Sequence, residues 1–441
     1  MDYERQVKEI AKYFEDNEKE IKDFKMGLEI EHFIIDKDSF RTISYYEEKG
    51  TSDTLEQMLQ NGWEGIYEGD NILGLKKNGT TITLEPGSQF ELSIRPEKHI
   101  FDLEREYFNF LNEVLPILDR KNQALITTGY QPESSISDIK IIPKKRYSYM
   151  YEYFKDKGTH AHNMMKGTAS LQLSVDYSSE EDFVKKFKVA SGISPVIYAM
   201  FDNAYYFEGR VWNKFSLRSY IWENCDKDRC GVVDAALDKS FGYEKYAEYI
   251  LNRPPIFIDN GKEVYFTKDK LTKDIFDPDK YSIQELEHIL TMFFPDVRAK
   301  KYIEIRMMDG VPYPLNFSAV ALWKGIIYDE ENLSKIYEYV DDISIEDINK
   351  AKKDIVEKGL YGKLRDETVY EIGKRLIEIS KSGLKEDELK YILPLEEMFN
   401  EKMTPRGKTE KRAYLGKKKA LDWCILNNLI EVKNNGHEEI N

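Results

Sequence analysis

The sequence predicts an α+β domain, an antiparallel sheet with helices packed on one side. Three observations carry that prediction. Strand-like segments recur with a period of two, an Asn-Gly turn joins two of them directly, and no regular strand–helix–strand alternation accompanies them. The elements follow in order. Residues 3–24 place Val7, Ile10, Ala11, Phe14 and Ile21 amid charge, which predicts an amphipathic helix. "GLEIEHFIID" at 27–36 reads as a strand with Leu28, Ile30 and Ile34 on one face and Glu29 and Glu31 on the other. "NILGLKK" and "TITLE" flank Asn78-Gly79, a strong hairpin signal. "QFELSI" is a further strand carrying Glu91, residues 97–122 are a helix, and "ALITTGYQP" is a short strand. Residues 164–177 alternate as a strand and 180–202 return to helix. The strand at 300–309 sets Glu304 and Arg306 on a common face, and from about residue 317 the chain is mostly helical.

The totals narrow the function. With 441 residues, 41% hydrophobic and 33% charged, the chain is globular and long enough for a sizeable core. A net charge of −15 argues against nucleic acid as a partner, although a nucleotide carried with a divalent cation is compatible with it. Cys225, Cys230 and Cys424 have neither metal-site nor redox spacing, and "HAH" at 160–162 has no cysteine partner nearby. The start "MDYERQVKEI" lacks a signal-peptide core and no apolar run reaches membrane length. The expectation is a soluble cytoplasmic protein, free of membrane, acting as a monomer or homodimer.

Acidic residues recur on the predicted strands: Glu29 and Glu31, then Glu85, Glu91 and Glu304, with Glu68 and Asp70 as a further pair in "YEGDN". A solvated sheet face is the plain alternative. Several strands aiming acids at one face would repel one another, and oxygen-coordinated Mg²⁺ or Mn²⁺ relieves that repulsion. Arg146, Arg218, Arg229 and Arg306 supply the cationic partners that phosphoryl transfer needs. No "GxxxxGK[ST]" occurs, so ATP here would be held through metal on a sheet rather than in a glycine-rich cradle.

These residues resemble a known family. "GLEIEHF", "GWEGIYEGDNILGLKK", "ITLEPGSQFELS", "GYQPESSISDIKIIPKKRY", "SLQLSVDYSSEEDFVKKF", "LRSYIWENCDKDRCG" and "FPDVRAKKYIEIRMMDG" are similar to stretches of the plant and α-proteobacterial glutamate–cysteine ligases, in family order. Where that family usually carries a "TPAE"-like stretch, this chain has "MTPRGKTEKRAYLGKKKA". The resemblance implies a glutamine-synthetase-like fold: a curved antiparallel sheet lining a metal and ATP site, flanked by helices. It implies a catalytic core over 1–335 and a helical C-terminal region, 336–441, packed on the same domain. It implies that ATP, L-glutamate and L-cysteine give γ-glutamylcysteine, ADP and phosphate through γ-glutamyl phosphate, with Mg²⁺, or alternatively Mn²⁺, as cofactor.

From the matching motifs, Glu29, Glu31, Glu85, Glu91 and Glu304 are the implied metal ligands. Arg218 and Arg306 are the implied stabilisers of the transferring phosphoryl, and Arg146, Asp70 and Gln172 the implied substrate contacts. Trp222 is expected in the core. Two other readings stand beside this one: a γ-glutamyl ligase of the same fold with a different amine acceptor, and a nucleotide- and metal-binding sensor without turnover.

Overall fold

The computed structural model describes residues 2–259 and 264–429. Among them, nine strands form one sheet: β1 (Met26–Asp36), β2 (Glu64–Glu68), β3 (Asn71–Lys77), β4 (Thr80–Leu84), β5 (Phe90–Glu97), β6 (Gln123–Ile126), β7 (Ser170–Val175), β8 (Val297–Ala299) and β9 (Ile303–Asp309). Their spatial order is β8-β9-β7-β1-β5-β4-β3-β2, with β6 on the far half of β1. Every pairing in this sheet is antiparallel. The β3–β4 turn has positive φ at both Asn78 (52°) and Gly79 (84°), the conformation that matches the twist of a tight hairpin.

The period-two pattern of β1 sorts its side chains as the sequence predicts. Leu28, Ile30 and Ile34 enter the main core beside Phe90, Leu92 and Leu111, residues of β5 and of the helix Ile100–Arg120. His32 shares that face. Its Nδ1 lies 3.1 Å from the Phe90 carbonyl and its Nε2 3.2 Å from the Tyr107 hydroxyl, and burial pushes its pKa down to about 4. It is therefore a neutral core histidine.

Three elements differ from their sequence-based expectation. The first helix ends at Glu15, with a separate short turn at Ile21–Asp23. The Asn17 side chain donates to the Tyr13 carbonyl there, and Ile21 is 70% exposed, so it does not extend the apolar stripe. Residues 164–167 belong to the helix Ala161–Gly167 that precedes β7. The span 180–202 is two helices, Glu180–Gly192 and Ser194–Met200, because Pro195 cannot donate to a continuous helical ladder.

The C-terminal helices include Leu315–Ile327, Glu330–Val340, Ile345–Lys358, Val369–Gly383 and Leu389–Asn400. Ser344 with Asp347, and Thr368 with Glu371, form reciprocal caps at two of their starts. One hydrophobic core, containing residues from Val7 to Leu426, joins these helices to the sheet.

Candidate active site

The polar face of the sheet assembles the site by register. Glu31 of β1 lies opposite Glu91 of β5, while Glu29 lies opposite Ser93 on one side and Gln172 of β7 on the other. Glu85 joins from the turn between β4 and β5. These four carboxylates and Gln172 border one cavity of about 220 Å³. Arg146 reaches it from the helix Lys145–Phe154, Arg218 from the helix Leu217–Glu223 and Arg306 from β9. The structure thus brings eight of the ten expected site residues, Arg146, Arg218, Arg306, Gln172, Glu29, Glu31, Glu85 and Glu91, to a single cavity.

The acids are half-buried, and among the described residues none of them is neutralised by a direct ion pair. Burial, then the neighbouring Glu85, push Glu31 up to about 7, even though it accepts the Ser170 N–H at 2.7 Å. Glu91 is raised well above the usual carboxylate range by burial and by Glu85, Glu29 and Glu31 together; it accepts the Thr83 hydroxyl at 2.7 Å. Glu29 is raised by burial and by Glu304. Glu85 accepts the Tyr147 hydroxyl at 2.9 Å.

Opposite them stand unused donors. The Nε atoms of Arg146, Arg218 and Arg306 and the indole N–H of Trp222 are buried without a hydrogen-bond partner among the described residues. Arg306 is oriented through its Nη1, which donates to the Gln172 side-chain oxygen, and Arg218 Nη2 donates to the Arg306 carbonyl at 2.9 Å. Mutually repelling half-buried carboxylates facing unpartnered guanidinium donors suit a phosphate-bearing substrate and a hard divalent cation. Among the described residues, no three acidic, histidine or thiol groups already stand in metal-holding geometry. Such a cation would need oxygens from the substrate to complete its shell.

Two expected residues lie elsewhere. Glu304 does not border the cavity. Its carboxylate pairs with Arg298 at 2.5 Å and Lys300 at 2.6 Å, with Arg306 at 3.5 Å. Burial pushes that carboxyl up, but Arg298, Lys300 and Arg306 outweigh it and hold it well below the usual range. It is an anchor for the cations behind the cavity rather than one of the facing acids. Replacing Glu304 with Gln is expected to cost about 3–5 kcal/mol in chemical unfolding, because it leaves buried cations uncompensated. A loss under about 1 kcal/mol would return Glu304 to the solvated acids. Asp70 lies exposed in the turn between β2 and β3, outside the cavity; beside it, Glu68 accepts the Lys145 N–H at 3.0 Å, next to Arg146.

Arg229 is fully buried and bonds to Asp226, Tyr153, Pro254 and Met292, away from the cavity. Trp222 packs in the core as expected and also borders the cavity. Sequence reading missed Arg298, also at the cavity wall. Its signal was the short β8–β9 hairpin, which sets Arg298 opposite Glu304 across a lysine-rich turn.

The chain matches the family model of glutamate-cysteine ligase family 2 over residues 25–420. It is 30% identical over 392 residues to chloroplastic glutamate–cysteine ligase B of Oryza sativa subsp. japonica, an alignment covering 87% of this chain and 79% of that protein. It is 31% identical over 368 residues to the chloroplastic glutamate–cysteine ligase of Nicotiana tabacum, covering 82% of this chain and 70% of that one. Among solved structures, a glutamate–cysteine ligase from Francisella tularensis in complex with AMP shares the fold. That match has a TM-score of 0.52 at 13% identity and covers 91% of this chain and 87% of the other. The matched segment contains β1 to β9 and every residue placed at the cavity, and the chain belongs to glutamate–cysteine ligase family 2.

Proposed function

We propose that this cavity joins the γ-carboxylate of L-glutamate to the amine of L-cysteine at the expense of ATP, giving γ-glutamylcysteine, ADP and phosphate. The observation that carries the proposal is the pairing of four half-buried carboxylates with three arginines whose Nε atoms have no partner among the described residues, on one cavity of a family member. A carboxylate does not condense with an amine unaided. Its oxygen attacks the γ-phosphorus, ADP departs, and the amine nitrogen then attacks the acyl carbon and expels phosphate. Arg218 and Arg306 hold the phosphoryl oxygens as charge builds on them, and Arg146 takes a substrate carboxylate. Gln172, fixed between Arg306 and the Ser170 hydroxyl, orients this pair.

Glu29, Glu31, Glu85 and Glu91 would hold Mg²⁺, with Mn²⁺ as the alternative, and the ion would neutralise charge between these acids and the phosphates. The same proposal places the protein in a reducing, cytoplasmic compartment, supported by its three free thiols.

Phosphate release with ATP, Mg²⁺ and glutamate, scanned over amine acceptors, tests the reading. Release is expected to need glutamate and cysteine together. Equal rates with alanine or a polyamine would favour the different-acceptor ligase, and nucleotide binding without turnover on any amine would favour the sensor.

Proton binding gives a second test. The folded pKa of Glu31, about 7, lies above the usual 4.5, so the folded state gains a proton between those values. That stability is present at low pH and lost as pH rises through about 7. The thermal midpoint of the ligand-free protein is expected to rise as pH falls from about 8 to about 6, and Glu31→Gln should flatten the slope. An equal slope in the variant would remove Glu31 as its source.

A further inference from the structure

The helix Leu217–Glu223 carries both Arg218 and Trp222 to the cavity, so whatever fixes its start also fixes them. Ser216, the residue before it, has φ 45° and ψ 54°. For a non-glycine residue this left-handed conformation is strained and persists only where surrounding contacts impose it. The Ser216 hydroxyl is itself buried without a hydrogen-bond partner. The Ser216 N–H is held by Asp202, whose Oδ2 accepts it at 2.8 Å while Oδ1 accepts the Ala204 N–H at 3.4 Å. Residues 203–215 leave and return between these two points, through the short hairpin of Tyr206–Phe207 and Arg210–Val211.

Asp202 is in turn held by the C-terminal stretch 404–417. The Arg406 N–H donates to the Asp202 carbonyl at 2.7 Å. The Arg406 guanidinium lies 4.5 Å from the Phe215 ring centre and 5.1 Å from that of Tyr205, and its Nη2 donates to the Trp212 carbonyl at 3.0 Å. It therefore packs against both limbs of the 203–215 excursion. Lys417 pins the hairpin tip, donating to the Gly209 carbonyl at 2.9 Å and pairing with Glu133. Residues 404–417 do not themselves border the cavity.

We propose that Asp202 is the positioning residue for Arg218, and that the C-terminal stretch reaches the reaction through Arg406 by holding Asp202 in place. The kinetic part of this inference rests on the role given to Arg218 above. Asp202→Ala removes the acceptor, whereas Asp202→Asn keeps an oxygen for the Ser216 N–H. In the full chain, Asp202→Ala is expected to speed amide hydrogen exchange over 215–223 and to lower kcat by about 10–100-fold, the effect of a misplacement of about 1 Å. The KM values for glutamate and cysteine should stay within about twofold. Asp202→Asn should restore slow exchange and bring kcat to within about threefold of the parent. Combining Asp202→Ala with Arg218→Lys should be no slower than Arg218→Lys alone, since both act on one group.

Unchanged exchange over 215–223 in Asp202→Ala, or losses that multiply in the double variant, would overturn the proposal. Should Asp202→Ala not fold, Arg406→Pro, in the first turn of its helix where proline is tolerated, removes the N–H that the Asp202 carbonyl accepts and carries the same exchange readout. Absence of glutamate- and cysteine-dependent turnover in the parent enzyme would overturn the proposed reaction instead, and the exchange result would still decide the positioning.

Discussion

Glu29→Gln or Glu31→Gln is expected to leave the fold intact and lower kcat by at least about 100-fold, the scale of losing one electrostatic stabiliser in a desolvated site. The carboxamide is nearly isosteric, so packing beside Gln172 and Ser93 is kept while the charge is lost. Both acids are already destabilised in the ligand-free fold, Glu29 by burial and Glu304, Glu31 by burial and Glu85. Removing either charge should therefore raise the thermal midpoint or leave it unchanged, even as turnover collapses. That opposition separates a functional acid from a structural one. Steady-state kinetics across a Mg²⁺ titration, with thermal melts of the same samples, make the measurement. Wild-type rates with an unchanged Mg²⁺ dependence in both variants would refute the assignment.

Arg306→Lys is the second large effect: kcat should fall by about 100-fold or more, with glutamate KM and thermal midpoint little changed. The rival explanation is that Arg306 merely pairs with Glu304, two residues earlier on the same strand. The distances decide against it as the main role. Glu304 is satisfied by Arg298 at 2.5 Å and Lys300 at 2.6 Å, and Arg306 is its loosest partner at 3.5 Å. Burial and the neighbouring Arg298 lower the Arg306 pKa to about 10, so this guanidinium is under-compensated and its Nε is unpaired. Lysine keeps the charge but has no planar fork to bridge Gln172 and a phosphoryl oxygen. A Lys variant with normal kcat would sink the assignment, and a loss of stability without a loss of turnover would restore the ion-pair explanation.

Much of the acidic face of the sheet was readable before any fold was known. A strand alternates its side chains by backbone geometry alone, so "GLEIEHFIID" sets Glu29 and Glu31 together and turns Leu28 and Ile30 away. The Asn78-Gly79 turn fixes one hairpin for an equally local reason, the positive φ that both residues tolerate. The long spaced motifs point to the family, and the family model covers the same region.

Tertiary structure decided what depends on neighbours distant in sequence. Glu31 meets Glu91, and Glu29 meets Gln172, because β1 lies between β5 and β7, an order that crossovers and core burial set and local periodicity does not. Glu304 and Arg306 point from one strand in the manner the sequence foretold. Yet Arg298, brought across by β8, holds the first behind the cavity wall and leaves the second facing it. Asp202 came to hold Ser216 for the same reason. The period of a side chain is a property of its own backbone, whereas its electrostatic partner is a property of the whole fold.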